Sequence, residues 1–134
     1  MTKAIRVYEH GGPEVLKWEE VSVSKPGKGE VVLKTKAVGL NFIDVYQRSG
    51  LYPVELPMTL GAEGAGIVVE LGPDVTNITE GQRVAYSGGQ IGAYTEKRVI
   101  SAEALIPLPD NIDDETAAAI MLKGLTCHML LFKC

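Results

Sequence analysis

The sequence contains few cysteines and few aromatic residues. Cysteine occurs only as Cys127 and Cys134, and this spacing matches no short zinc or redox motif such as C-x-x-C. A disulfide between the two would require an oxidising compartment, of which the sequence gives no sign. Aromatic residues make up only 6% of the 134 residues, whereas glycine occurs 15 times. This balance indicates a chain with many turns and argues against disorder.

The sequence also lacks an apolar run close to the roughly 20 residues that a membrane span requires. Residues 1–7 interleave charged and apolar side chains and do not resemble a signal peptide. Positive charge is not in excess, since 13 Lys and Arg residues face 17 Asp and Glu residues for a net charge of −4. We therefore expect a cytoplasmic, single-domain protein that has neither a nucleic acid nor a membrane as a partner.

Short segments of alternating apolar and polar residues, separated by turn residues, predict a mainly β domain with a few helices. The predicted strands are residues 4–8, 15–21, 30–40, 66–71, 83–86 and 94–100. A Pro-rich stretch at residues 51–60 predicts an irregular surface loop. Many short strands at regular spacing are typical of a small barrel.

Helical spacing replaces this alternation in three places. Asn41 is a good N-cap for a short helix that ends at Gly50. Three acids at residues 113–115 favour the start of a second helix over residues 116–122, which Gly124 is predicted to break. A third helix is predicted to begin near Leu125 and to run to Cys134. Its apolar residues 129–132 predict self-association through this end of the chain.

Five segments together resemble the quinone oxidoreductase branch of the medium-chain dehydrogenase/reductase superfamily. They read HGGPEVL at residues 10–16, AVGLNFID at 37–44, RSGLYP at 48–53, GAEGAG at 61–66 and KGLT at 123–126. The resemblance implies a GroES-like, partly open β-barrel as the catalytic domain over residues 1–124. It also implies that residues 125–134 start the helix leading to a Rossmann nucleotide-binding domain, which this chain does not contain.

The glycines of residues 61–66 do not form a dinucleotide-binding loop. They follow the pattern G-x-x-G-x-G, and strand-like residues follow them, whereas a phosphate-binding loop must open a helix. We interpret them as glycines that allow close backbone approach and a tight bend within a strand.

The resemblance also implies the chemistry, which is the transfer of a hydride from NADPH to a quinone or another small electrophilic carbonyl compound. The zinc alcohol dehydrogenases of the superfamily hold a catalytic zinc through a cysteine and a histidine. Asn41 and Ala62 stand at these two positions, and the remaining carboxylates, Asp44 and Glu63, make a poor zinc site without them. We therefore expect an enzyme without zinc.

The same resemblance implies the site residues. Asn41, Tyr46 and Tyr52 are the candidates for catalysis, because an amide and two phenols can orient a carbonyl oxygen or a nicotinamide ribose. The candidate cofactor-binding residues are Asn41, Phe42, Asp44, Tyr46, Lys123 and Thr126. Each also has an ordinary structural interpretation: Asn41 as an N-cap, Asp44 as a helix-positioning carboxylate, the tyrosines as packing residues. Met129 departs from the tyrosine that related proteins often carry at this position.

Two alternatives remain open at this point. One is a zinc-free reductase of alkenals or enones, which would differ mainly in the loop at residues 51–60. The other is a GroES-like module that has no catalytic role and assembles through its apolar C-terminal helix. Under the leading interpretation the isolated chain is inactive, because most contacts to NADPH belong to the nucleotide-binding domain.

We predict that the purified chain binds no stoichiometric zinc, because Asn41 and Ala62 replace the required thiolate and imidazole. Elemental analysis after dialysis against a chelator is expected to find well below one zinc per chain. About one retained zinc per chain would contradict the prediction.

Overall fold

The computed structural model describes all 134 residues, and eight strands and two α-helices account for most of them. The strands are β1 (Thr2–Val7), β2 (Lys17–Val21), β3 (Glu30–Val38), β4 (Met58–Thr59), β5 (Glu63–Leu71), β6 (Arg83–Ser87), β7 (Lys97–Ser101) and β8 (Ile106–Pro107). The helices are α1 (Phe42–Ser49) and α2 (Asp114–Phe132), and single 3-10 turns occupy Pro13–Val15 and Ala102–Ala104. The predicted mainly β fold with a few helices is confirmed.

The strands form two open antiparallel sheets that do not close into a barrel. The smaller sheet has the order β2-β1-β4, and the larger has the order β7-β3-β5-β6-β8. The two sheets meet where Ala4 of β1 forms an isolated bridge with Thr95 and where the Ile5 amide donates to the Tyr94 carbonyl at 2.8 Å. The predicted partial barrel is therefore two open sheets joined at one seam.

Buried apolar side chains form separate clusters, the main one on the larger sheet and a smaller one on the smaller sheet. The main cluster contains ten buried residues, with Leu33, Val84 and Tyr86 among those fully enclosed. A smaller cluster around Val7 and Leu60 lies under the smaller sheet. Burial of this apolar surface is the main force that stabilises the fold.

The glycines of residues 61–66 lie in and before β5, as the sequence analysis predicted, and not at the start of a helix. A Cβ on Gly66 would collide with the Lys34 carbonyl of β3, and a Cβ on Gly64 would come within 2.9 Å of the Tyr86 hydroxyl. Only glycine allows the backbones of β3 and β5 to approach this closely.

The predicted boundaries of several elements need small corrections. The strand predicted at residues 15–21 begins at Lys17, because Pro13 starts a 3-10 turn. The strand predicted at 94–100 begins at Lys97, and the predicted loop at 51–60 contains the two-residue strand β4. Helix α1 agrees with the prediction, with Asn41 at the N-cap position and Gly50 ending it at a φ of 83°.

The prediction that Gly124 breaks the C-terminal helix was wrong. Helix α2 runs without interruption from Asp114 to Phe132, so the boundary predicted between residues 1–124 and 125–134 lies inside one helix. A glycine in a helix interior costs only about 1 kcal/mol relative to alanine, and most of its neighbours in α2 are good helix formers.

The two halves of α2 have different surroundings. In the first half, Ala117 and Ala118 are buried against the larger sheet. Asp113 caps the helix by accepting from the Thr116 amide at 2.6 Å, and Arg83 of β6 forms a 3.0 Å ion pair with Asp114. In the second half, the apolar side chains from Leu125 to Phe132 are exposed.

Helix α2 also has the length and apolar composition of a helix that could cross a membrane, with a mean hydropathy of 1.2. This differs from the expectation that no apolar stretch approaches that length. Only 11% of this helix window is buried, unlike the core helix of a soluble protein, and a single helix that meets the criterion by length and composition assigns no membrane span.

The continuity of α2 leads to a test at Gly124. A Cβ there would meet only the Ile120 side chain at 4.0 Å, so Gly124→Ala is expected to raise the free energy of unfolding by about 0.5–1 kcal/mol. Chemical denaturation of both forms measures it. The matched control is Gly81→Ala, which also has open space but a φ of 82°, and which should destabilise the chain. A loss of stability in Gly124→Ala would mean that the helix breaks at this residue.

Candidate active site

The buried carboxylate of Glu63 is the central group of the candidate site. It lies at the start of β5 and has no exposed surface. Its Oε1 accepts a hydrogen bond from the Leu122 amide of α2 at 2.6 Å, and its Oε2 accepts one from Asn41 Nδ2 at 2.7 Å. A buried charge is tolerated only where hydrogen bonds and an opposite charge compensate its desolvation. Glu63 therefore connects a strand, a helix and the N-cap of α1.

Lys123 supplies the opposite charge. Its Nζ lies 3.7 Å from Glu63 Oε2 and 3.1 Å from Asn41 Oδ1, and it also approaches the Leu40 carbonyl at 3.4 Å. More than half of the Lys123 side chain, 56%, remains exposed. Glu63, Asn41 and Lys123 are called the polar cluster below. The Asn41 amide lies between the two charges and contacts both of them, which fixes its orientation.

Gly39 makes this arrangement possible. A Cβ at this position would collide with the Glu63 carboxylate and with the Ala118 carbonyl of α2. The Gly39 amide donates to the Glu63 carbonyl at 3.0 Å, so the chain between β3 and α1 lies directly against β5. The lack of a side chain at residue 39 lets strand, helix and loop meet around one carboxylate.

Asp44 supports the polar cluster from inside α1. It is 2% exposed, and its Oδ2 accepts hydrogen bonds from the Asn41 amide at 2.9 Å and from the Tyr94 hydroxyl at 2.6 Å. Burial, together with this hydrogen bond to a carboxylate, raises the pKa of Tyr94 far above its usual range, so the phenol stays protonated as a donor. Asp44 thus holds the start of α1 against the seam between the sheets.

Three aromatic side chains form a row beside the start and end of α1. The rings of Phe42 and Tyr46 have centroids 6.2 Å apart, and those of Tyr46 and Tyr52 are 5.3 Å apart. Phe42 and Tyr52 are exposed, and Tyr46 is partly buried. Only Tyr8 and Tyr94 use their hydroxyls in side-chain hydrogen bonds. The phenols of Tyr46 and Tyr52 therefore remain available to a bound molecule.

The structure brings most of the predicted site residues into this region, with one exception. Asn41 and Lys123 are in direct contact although 82 positions separate them, and Phe42, Tyr46 and Tyr52 share one row. Thr126 stands apart, because its hydroxyl donates to the Leu122 carbonyl of its own helix at 2.7 Å. A hydroxyl that bonds back to its helix in this way is not directed at the polar cluster.

No group of three or more His, Cys, Asp or Glu side chains comes together anywhere in the structure. The two carboxylates that the sequence left as possible metal ligands already accept hydrogen bonds from protein groups. Asn41 supplies an amide where a thiolate would be needed, and Ala62 supplies no ligand atom. These residues do not fit a zinc site, and the absence of zinc from the protein stays a prediction.

Sequence reasoning named Glu63 only as a poor metal ligand and did not include it in the candidate site. One signal could have identified its role. Glu63 is the sole charged residue in the stretch of small and apolar residues from 60 to 69, and a charge in such a strand needs a partner. The partner could not be found in the same way, because it lies on a distant helix.

The features described above define the class of domain to which this chain belongs. Two open antiparallel sheets, a short capped helix after β3, and a helix packed across β3 and β5 make up a GroES-like domain. Comparison with known protein families agrees, since the alcohol dehydrogenase GroES-like domain family matches residues 27–110. The chain belongs to this family, within the quinone oxidoreductase branch of the medium-chain dehydrogenase/reductase superfamily.

Relatives and solved structures support this placement. The chain is 52% identical over 132 residues to a quinone oxidoreductase of Pseudomonas aeruginosa, covering 98% of this chain and 41% of that protein. It is 46% identical to Escherichia coli quinone oxidoreductase complexed with NADPH, with a TM-score of 0.95 over 98% of this chain and 40% of that one. It is also 42% identical to a 2-haloacrylate reductase of Burkholderia, covering 98% of this chain and 41% of that protein. The chain thus spans about 41% of the length of the curated relatives it matches.

The role of Glu63 leads to a prediction. Glu63→Gln removes the charge that faces Lys123 and places an amide where two donors now meet a carboxylate. It is expected to lower the free energy of unfolding by about 1–3 kcal/mol, as measured by urea denaturation. Glu70→Gln is the matched control, because Glu70 is exposed on the same strand, and it should change stability by less than about 0.5 kcal/mol. Equal stability of both variants would refute the structural role of Glu63.

Proposed function

We propose that this chain is the catalytic-domain portion of an NADPH-dependent quinone oxidoreductase that transfers a hydride to a quinone without a metal. The observation that carries the proposal is the position of the polar cluster. Its Asn41 is the N-cap of α1, and the aromatic row, with two free phenols, begins at the next residue. The quinone oxidoreductases among its relatives support the same activity. A quinone is already electrophilic, so its reduction needs placement and hydrogen bonds more than a nucleophile or a metal.

The residues of this chain orient the bound ligand. Glu63 and Lys123 bind the two ends of the Asn41 amide, so this side chain cannot rotate freely. A fixed polar group loses little entropy when it orients a ligand, which favours the productive geometry. The rings of Tyr46 and Tyr52 offer flat surfaces for a planar quinone, and their hydroxyls can donate to its oxygens.

NADPH is the hydride donor that this proposal requires. The residues present fit its nicotinamide end, because Lys123 is a half-exposed cation and Asn41 a fixed amide beside it. Phe42 and Tyr46 add apolar surface, and Asp44 holds the start of α1 in place. When bound, the cofactor supplies the hydride. Thr126, whose hydroxyl donates to the Leu122 carbonyl of its own helix, stays a proposed cofactor-binding residue.

Reduction of an activated alkene is the second candidate. The 42% identity to a 2-haloacrylate reductase favours it, and the same orienting groups would serve a conjugated carboxylate or carbonyl compound. The two activities differ in the acceptor and share the donor, so one assay with both acceptors distinguishes them.

We further propose a cytoplasmic enzyme with no zinc and with neither a nucleic acid nor a membrane as a partner. The negative net charge favours the absence of a nucleic acid partner. The exposed apolar half of α2 is a surface for association, either with further protein segments or with another copy of the chain.

The experiment joins this chain to the remaining residues of the Pseudomonas aeruginosa quinone oxidoreductase and measures NADPH oxidation with a quinone. Asn41→Ala is expected to lower kcat/KM at least about tenfold, equivalent to roughly 1.4 kcal/mol of transition-state stabilisation. Tyr52→Phe should change the KM for the quinone more than that for NADPH. Thermal unfolding is measured in parallel, because Asn41 also occupies the N-cap position of α1.

Asn77→Ala and Tyr8→Phe are the matched controls, since both residues are exposed and lie outside the site. They should leave the kinetics unchanged. Unchanged kinetics in Asn41→Ala and Tyr52→Phe would show that the site lies elsewhere. Activity with a 2-haloacrylate and none with quinones would select the second candidate.

A further inference from the structure

Tyr94 is not one of the candidate site residues, yet its hydroxyl reaches the carboxylate that holds the start of α1. The hydroxyl donates to Asp44 Oδ2 at 2.6 Å, although 50 positions separate the two residues in the sequence. The same Oδ2 accepts a hydrogen bond from the Asn41 backbone amide at 2.9 Å. A single carboxylate oxygen therefore links Tyr94 to Asn41.

The Asp44 carboxylate depends on these two donors. The residue is almost fully buried, and its other oxygen, Oδ1, has no hydrogen-bond partner. Asp44 also takes part in none of the ion pairs of the structure. A buried carboxylate needs hydrogen bonds or an opposite charge to offset its desolvation. Without the Tyr94 hydroxyl, Asp44 would keep only the hydrogen bond from the Asn41 amide that it holds.

Tyr94 itself is held firmly at the seam between the two sheets. Its amide donates to the Leu60 carbonyl at 2.9 Å, and its carbonyl accepts from the Ile5 amide at 2.8 Å. Its ring packs against both the main apolar cluster and the smaller one. The ring also lies against Gly61, where a Cβ would collide with it. The Tyr94 hydroxyl is thus a fixed point to which α1 is attached.

The other contacts that orient Asn41 act on its side chain. Glu63 accepts from Nδ2, and Lys123 donates to Oδ1. More than half of the Lys123 side chain is exposed, so this second contact competes with water. Neither contact holds the Asn41 backbone amide, whose acceptor is Asp44. The backbone position of Asn41 therefore depends on whether Asp44 stays in place.

We propose that Tyr94 is a positioning residue of the hydride-transfer site and acts on Asn41 through Asp44. This inference rests on the proposed function, in which Asn41 orients the bound ligand. The Tyr94 hydroxyl forms no hydrogen bond with the polar cluster or the aromatic row, so its effect is indirect. It is nevertheless large enough to measure, because a misplacement of about 1 Å in an orienting group can slow a reaction by about 100-fold.

The first test measures amide hydrogen exchange by NMR on this chain. Tyr94→Phe removes only the hydroxyl and keeps the ring that packs on both apolar clusters, so the variant retains its packing. The Asn41 amide is expected to exchange about tenfold faster or more, because its acceptor is no longer fixed. The amide of Val68, a fully buried residue of β5, is the internal reference for general loss of stability. Tyr86→Phe is the matched control, since the Tyr86 hydroxyl is also buried but forms no hydrogen bond with a carboxylate or with α1.

The second test uses the hybrid with the remaining residues of the Pseudomonas aeruginosa quinone oxidoreductase. Tyr94→Phe is expected to lower kcat about fivefold or more, and Tyr86→Phe to leave it unchanged. In the Asn41→Ala background, the same Tyr94→Phe change should alter kcat by less than about twofold, because the residue through which Tyr94 acts is already absent. A purely structural role of Tyr94 would lower kcat equally in both backgrounds.

Two results would overturn the proposal. One is an increase in exchange at Asn41 that is no larger than that at Val68 or than that caused by Tyr86→Phe. The other is an equal effect of Tyr94→Phe on kcat with and without Asn41. A hybrid that reduces no acceptor would refute the proposed function instead, and the exchange measurement would still decide whether Tyr94 positions Asn41.

Discussion

The Glu63 carboxylate is the contact on which the arrangement of this domain depends. One buried group accepts a hydrogen bond from the backbone of α2, orients the Asn41 amide and faces the ammonium group of Lys123. Burying it without these partners would cost several kcal/mol. The requirement to satisfy it therefore forces the long central strand, the short helix and the C-terminal helix into a single relative position, and the proposed site follows from that position.

The local elements could be predicted because their causes are local. Alternation of side chains identified the strands, and Asn41 and Gly50 marked the two ends of α1. The glycines before and within β5 were correctly separated from a nucleotide-binding loop, because a strand and not a helix follows them. The resemblance to quinone oxidoreductases then placed Asn41 and Lys123 in one site, which no periodicity argument could do across so many residues.

The failures have a common origin, which is that they depend on distant parts of the chain. A helix break was predicted at Gly124 because the low helix propensity of glycine is visible in the sequence. The neighbouring helix formers and the anchored start of α2 outweigh this cost in free energy, so the helix continues. The role of Glu63 in the site was missed because its partners are distant in sequence. Asn41 lies between β3 and α1, and Leu122 and Lys123 lie on α2.

The uneven support of α2 has a consequence for its motion. Up to Lys123 the helix is fastened by the Asp113 cap, the Arg83 ion pair and the Glu63 carboxylate, while the following turns rest on no other element. Local opening free energies follow such differences in burial. The backbone amides of the last turns should therefore exchange with solvent through fraying, and those before Leu122 only when the sheet itself opens. Helix α2 is thus continuous in its geometry but divided at Lys123 in its local stability.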